Sequence, residues 1–207
     1  MSCQEVPLRR GDIDRFFREV GKRISLPVQV YLTGGIASWI MGGQRPTEDI
    51  DFGLKTPAGK WHEAEKIFQE ISHALGIPIQ FSENISRWGM IDLLNYEKSA
   101  KLYKKFGKVS VYHLDLHSWS IGKMGRYYQS DIEDMVNVFK IQKPNVRTLV
   151  KKWSEALRKS PRSSSQILFI KAVEDFLKNY GRAIWGEKFD IQKNIDQFTS
   201  SIRPSPE

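Results

Sequence analysis

The chain is predicted to adopt an α/β (α+β) fold, a sheet flanked by helices and followed by a helical C-terminal segment. Three observations carry this. Short runs of alternating apolar residues, bounded by Gly and Pro, recur over the first 117 residues. Stretches with apolar residues at i, i+3, i+4 and i+7 lie between them, and beyond residue 145 only that second pattern remains.

Taken in order, Ile13, Phe16, Phe17 and Val20 recur at helical spacing after Asp12, a capping residue, so an amphipathic helix opens the fold. In "PVQVYLTGG", Val28, Val30 and Leu32 alternate as in a strand that stops at Gly34 and Gly35. "GIASWIM" is a short helix ended by Gly42 and Gly43, and "EDIDFGL" is a second strand. Trp61, Ala64, Ile67, Phe68, Ile71 and Leu75 mark a long amphipathic helix closed by Gly76. "IPIQFS", "GMIDLLNY" and "KVSVYHLDL" predict three further strands. From Ser118 to Phe139 the pattern is helical, and Pro144 interrupts it. Helices are then expected over 146–159, 166–180 and 190–202, the first two separated by the polar turn "KSPRSSSQ". The expected division is residues 1–140 for the α/β domain and 141–207 for a basic helical segment.

Composition bounds the function. With 207 residues, 40% hydrophobic and 12% aromatic, the chain can bury a full core. No apolar run is long enough to span a bilayer, and "MSCQEVPLRRGD" lacks a signal peptide's apolar stretch, so a cytoplasmic location is expected. A single cysteine, Cys3, excludes an internal disulfide framework and a cysteine-based zinc site. The formal charge of +8 suggests polyanionic partners. Most of the excess lies late, with 13 Lys/Arg against 7 Asp/Glu from Ile141 onward. "EKSAKLYKKFGK" adds a cluster of five lysines. Charge alone fits a solvated face as well as it fits nucleic-acid binding.

The chemistry concentrates in "TGGIASWIMGGQRPTEDIDFGL". Glycines at a strand-to-helix junction let the backbone approach a ligand closely, and amides at a helix start can hold phosphate oxygens. Asp49 and Asp51, two residues apart in a strand, share a face. Two adjacent carboxylates repel unless a cation sits between them, and Mg²⁺ takes a few carboxylates with water and substrate phosphates. A phosphate cradle beside a carboxylate pair is what metal-assisted phosphoryl transfer requires.

The Gly pair, 13 intervening residues and the Asp-x-Asp strand together resemble the nucleotidyltransferase superfamily of the polymerase-β type. Arg45 and Thr47 extend the match to Arg-x-Thr-x-Asp-x-Asp, similar to bacterial nucleotidyltransferases of the abortive-infection, type IV toxin–antitoxin group. "WSIGKMGRYYQSDIEDM" resembles a later motif of that group, with Lys123-Met124 for Lys-Leu, then Arg126, Asp131 and Asp134. The resemblance covers about residues 28–140; Gly35 stands where many relatives have Ser, and Met replaces Leu twice. It implies a mixed sheet, Mg²⁺ or Mn²⁺ as cofactor, an NTP substrate, transfer of NMP to an acceptor with release of pyrophosphate, and a toxin role with a cognate antitoxin as partner. It assigns phosphate and nucleotide contacts to Gly34, Gly35, Arg45, Thr47 and Lys123, and metal binding to Asp49 and Asp51.

The resemblance implies a third carboxylate from a later strand. Asp92, inside the apolar run "GMIDLLNY", fits, since a buried carboxylate asks for a cation or a strong partner. The resemblance would make it the group that completes the metal site and deprotonates the nucleophile. Asp115 competes: "HLDLH" puts His113, Asp115 and His117 on one strand face, which also reads as a metallohydrolase site. Lys123 could equally be a surface lysine, Arg126 and Asp131 a structural ion pair holding a helix on the sheet, and Asp134 a structural or surface charge. Trp88 and Trp119 flank the expected site strands and could stack on a base. For the acceptor, the basic helices and the resemblance favour RNA, in particular the acceptor end of tRNA, with Lys151, Lys152, Arg158 and Lys159 as contacts. A small hydroxylated molecule or a protein side chain remains open, as does a non-catalytic nucleic-acid-binding module on the same fold.

Overall fold

Alternating helices and strands up to His113 give way to helices alone in the computed structural model of the chain, which describes residues 7–202. Cys3 lies outside the described residues. The elements are α1 (Arg10–Arg23), β1 (Val28–Leu32), α2 (Gly34–Ile40), β2 (Ile50–Lys55), α3 (Trp61–Leu75) and β3 (Ile79–Ser82). After a 3-10 turn at Ile85–Arg87 come α4 (Tyr96–Ser99), β4 (Lys101–Phe106) and β5 (Val109–His113). The rest is α5 (Leu116–Arg126), α6 (Gln129–Gln142), α7 (Val146–Lys159), α8 (Ser164–Trp185) and α9 (Ile191–Ile202).

The chain forms two compact units. One comprises the described residues up to Ile40 with Arg45–Ile85 and Glu97–Leu114; the other comprises Met41–Gln44, Ser86–Tyr96 and the chain from Asp115 onward. The main boundary thus falls at Leu114 rather than near residue 140, because α5 packs on α6, α7 and α8, and α6 on α8.

The first unit is built on one mixed sheet in the order β3-β2-β1-β5-β4. β1 runs antiparallel to β2 and parallel to β5, β3 is parallel to β2, and β4 is antiparallel to β5. Alternation decides its faces. Val30 lies between Leu54 and Val111, and Leu32 between Phe52 and His113, all buried. Rings from α1 and α3 complete this core: Phe17 meets Phe52 at 6.0 Å, and Phe68 meets Phe52 at 5.4 Å. Asp12 is not the residue before α1 but its third, and its carboxylate still caps the helix by accepting the Arg9 N–H at 2.8 Å.

β4 was concealed in the sequence as a lysine cluster. Tyr103 and Phe106 both pack against the core although three residues apart, because the pairing with β5 shifts register between Leu102 and Lys104. Its hairpin turns at Gly107, with φ +58°, and Lys108. The expected strand "GMIDLLNY" does not form. Residues 88–95 are bends and coil, with Leu94 at φ 57° and Asn95 at φ 50°, in the left-handed region that no strand accommodates. Asp92 drives this turn, since its Oδ1 accepts the Leu94 N–H at 2.7 Å.

The second unit centres on Phe139, whose ring meets those of Phe176 at 5.8 Å, Trp185 at 6.1 Å, and Trp119 and Trp153 at 6.4 Å each. The buried Trp153 and the half-buried Trp185 keep their indole hydrogen bonds: Trp153 Nε1 donates to Ser120 Oγ at 3.0 Å and Trp185 Nε1 to the Pro144 carbonyl at 2.9 Å. The single helix expected from Ser118 to Phe139 is two, because Tyr127 takes φ 52° and closes α5. No helix among the described residues is long and apolar enough to cross a membrane.

Gly21, inside α1, faces the hairpin: an added Cβ would overlap the Phe106 carbonyl oxygen, and one added at Gly107 would meet the Gly21 carbonyl oxygen at 3.1 Å. Gly to Ala in a helix interior ordinarily stabilises by about 1 kcal/mol. Here the overlap with backbone reverses the sign, and Gly21→Ala is expected to cost about 1–3 kcal/mol in urea-induced unfolding.

Candidate functional site

Strand register assembles the Gly pair and the carboxylates. With Leu32 opposite Phe52, the next residue, Thr33, donates its N–H to the Asp51 carbonyl at 2.9 Å. Gly34 then lands on the Asp51 side chain. It has φ +58°, and a Cβ there would fall inside van der Waals distance of Oδ2, with Cγ at 3.0 Å. Gly35 sits as closely on Thr47, where an added Cβ would lie 2.6 Å from Oγ1 and 2.8 Å from the Thr47 Cβ. Both positions therefore require glycine, for space in each case and at Gly34 for backbone conformation as well. They open α2, whose first-turn amides have no partner inside the helix.

Asp49, in the bend just before β2, and Asp51, the second residue of β2, flank the fully buried Ile50, and both are half-buried. Thr47 is 5% exposed, and its hydroxyl reaches the Asp49 carbonyl and Oδ1 at 3.4 Å each. The loop before it is anchored at both ends. Trp39 Nε1 donates to the Arg45 carbonyl at 2.6 Å, and the Leu8 N–H to the Thr47 carbonyl at 2.8 Å. Trp39 and Leu8 had no signal in the sequence, because they act through backbone partners. The half-buried Arg45 donates from its guanidinium to the Pro46 carbonyl at 3.2 Å.

Asp92 belongs to the second unit and lies in a loop rather than a strand. Besides its turn with Leu94, its N–H donates to Ser160 Oγ at 2.8 Å. The carboxylate is half-buried and already serves a local purpose, so the reasoning that asked for a cation to offset a buried charge loses its premise. "HLDLH" does not share a strand face either. β5 ends at His113, whose Nδ1 contacts the Leu114 carbonyl oxygen at 2.9 Å. Asp115 is the cap of α5: Oδ1 accepts the His117 N–H at 2.8 Å, and Oδ2 accepts the Ser118 hydroxyl at 2.7 Å. His117 is the second residue of that helix.

Lys123 is buried rather than presented to solvent, at 2% exposure. Its Nζ pairs with Asp131 Oδ1 at 2.9 Å and Asp134 Oδ2 at 2.7 Å, while Arg126 donates to the same Asp131 oxygen at 2.9 Å. Two cations and two carboxylates thus join α5 to α6, and the ion pair expected of Arg126 and Asp131 links helices, not helix to sheet. The triphosphate contact expected of Lys123 finds no support in this burial. Trp119, 1% exposed, has no face open to a base, whereas Trp88 is 38% exposed in a bend.

On α7, Lys151 and Arg158 are exposed, whereas Lys152 and Lys159 both bridge Glu155, at 3.0 and 2.9 Å. The Lys159 ammonium, and secondarily that of Lys152, holds the Glu155 carboxyl below its ordinary range.

Among the described residues no three His, Cys, Asp or Glu side chains gather into a group that could hold a metal ion. Two half-buried carboxylates are nevertheless the donor set Mg²⁺ uses, since it fills its octahedron with water and phosphate oxygens rather than a protein cage. Asp49 and Asp51 fit that ion. Comparison with protein-family models, with curated proteins and with solved structures finds no match.

Replacing Gly34 by Ala is expected to displace the Asp51 carboxylate and destabilise the protein by about 1–3 kcal/mol, measured by denaturant unfolding, with the left-handed backbone contributing about 1–2 of that. Lys123→Met leaves Asp134 buried without its cation and is expected to cost about 3–5 kcal/mol. The double variant Lys123→Met with Asp134→Leu should recover part of that loss in the same measurement.

Proposed function

We propose that this protein is a Mg²⁺-dependent nucleotidyltransferase that moves an NMP from an NTP onto an acceptor hydroxyl of RNA. One observation carries the reading: the glycine turn after β1 is packed directly on the carboxylate of the Asp-x-Asp strand, with no room for a side chain between them. A turn built only for chain reversal has no need to press its backbone against an acidic side chain. A site that must bring phosphate oxygens and a carboxylate-bound cation together does.

In this reading the turn at Gly34 and Gly35, seated against Asp51 and Thr47, would border the triphosphate site beside the carboxylates. Asp49 and Asp51, flanking Ile50, hold the cation. When bound, Mg²⁺ supplies charge neutralisation on the triphosphate and on the departing pyrophosphate. The acceptor oxygen forms its bond to the α-phosphorus as the bond to the bridging oxygen breaks, and the hydroxyl proton passes to a carboxylate. Thr47 and Trp39 are positioning residues that fix the loop carrying Asp49. RNA as acceptor is supported by the late excess of positive charge. The likeness to toxin nucleotidyltransferases extends the proposal to a toxin role restrained by a cognate antitoxin.

The reading is tested by incubating the protein with each α-labelled NTP, Mg²⁺ and total RNA. Label is expected on RNA with the wild type, and a fall of at least about a thousandfold with Asp49→Asn or Asp51→Asn, whose unfolding midpoints stay near that of the wild type. Label transfer by Asp51→Asn near the wild-type rate would refute it. RNA retention without label in any NTP would instead identify a non-catalytic binding module.

A further inference from the structure

The end of α7, the turn into α8 and the end of α9 enclose a cavity of about 380 Å³ in the second unit. It has two chemically distinct walls. Arg158, Ser160, Arg162 and Gln166 form the polar one, and Leu157, Ile170 and Ile202 the apolar one. Among the described residues no carboxylate lines it. The acid on the adjoining turn, Glu155, is held by Lys152 and Lys159. Neither arginine takes part in an ion pair among the described residues; Arg158 donates one N–H to the Ser201 carbonyl, which leaves its charge unneutralised and other donors available.

The polar wall is also rigid. Gln166 Nε2 donates to the carbonyls of Leu157 and Ser160 at 3.0 Å each, tying the start of α8 to the end of α7. Ser160 Oγ donates to the Ala156 carbonyl at 2.7 Å and accepts the Asp92 N–H at 2.8 Å, so the rim is continuous with the Asp92 loop. Two guanidinium groups with no ion pair among the described residues, on a hydrogen-bonded scaffold, suit phosphate oxygens. Phosphate alone would leave the apolar wall and most of the volume unused, whereas a cleft of this size takes a small organic molecule.

We propose that this cavity binds a nucleoside phosphate, its phosphate on Arg158 and Arg162 and its ribose and base against Leu157, Ile170 and Ile202. The ligand is a free mononucleotide or the phosphorylated end of a nucleic-acid strand. The proposal does not require the transfer reaction.

The test is calorimetric titration of the full chain in EDTA with AMP, adenosine, inorganic phosphate and a 5′-phosphorylated tetranucleotide. AMP or the tetranucleotide is expected to bind at least about tenfold more tightly than adenosine or phosphate. A tighter tetranucleotide assigns a strand end, and a tighter AMP assigns a free nucleotide. Arg162→Glu, at an exposed position, and Ile170→Trp, which fills the apolar side, are each expected to weaken binding about tenfold or more. Lys188→Glu makes the same charge change at the far end of the 22-residue α8, about 33 Å away along the helix, and should leave binding unaltered. Asp51→Asn should also leave it unaltered, so this proposal and the transfer reading fail separately. Absence of binding by both AMP and the tetranucleotide, or equal losses in Arg162→Glu and Lys188→Glu, would overturn it.

Discussion

The pairing of β1 with β2 is the constraint on which the chemistry of the first unit depends. Because the two strands are antiparallel with Leu32 opposite Phe52, the residue that ends β1 meets the third residue of β2, one beyond Asp51. The turn after one is thereby pressed onto the carboxylate of the other. Slipping the pair by one residue would send Asp51 toward the phenylalanines of α1 and α3 and Phe52 toward solvent. Burying that carboxylate without a partner costs far more than the strand contacts return, so the hydrophobic core enforces the site's geometry. Fold stability and site assembly are one event here.

The second unit uses charge in two physically different ways. Around Lys123 the charges are dry, equal in number and mutually hydrogen-bonded, and breaking the set would strand an ion without solvent. Such a cluster adds little net stability over an apolar replacement, but it permits only one way of seating α6 against α5. Along α7 the charges are wet. Glu155 sits between two lysines in pairs that salt would screen, and the surplus stays positive. The same residue types therefore hold the fold together in one place and offer attraction to an anion in the other.

Elements governed by local periodicity were readable from the sequence alone. The buried set Ile13, Phe16, Phe17 and Val20, the strand at Val28–Leu32, the closure of α3 by Gly76 and the span of α7 all match what spacing predicts. What stayed hidden involves features that period counting does not sense. A register shift put Tyr103 and Phe106 out of the two-residue alternation and disguised β4. One Asx turn overrode the apolar character of Ile91 and Leu93, whose burial reflects packing of a loop. The alternation in "HLDLH" straddles the end of β5 and the cap of α5, two elements that the pattern reads as one. For the candidate site, the glycines and Asp49–Asp51 could be picked out by chemistry and order, and the structure adds that Gly34 packs on Asp51 and Gly35 on Thr47. The burial of Lys123 could not be foreseen, since nothing in its neighbours along the chain says that Asp131 and Asp134 fold back over it.

The lysines of β4 acquire a different meaning once that segment is known to be the outermost strand of its sheet. An unpaired strand margin invites another polypeptide to dock by backbone hydrogen bonding. Lys101, Lys104 and Lys105 line this margin, and among the described residues only Lys104 is engaged there by an acid, Asp14 of α1. A second molecule aligning the same strand would have to bring like charges into register, at a cost that grows with every residue paired. The cluster thus acts as insulation, setting a charge penalty against edge-to-edge pairing of this strand.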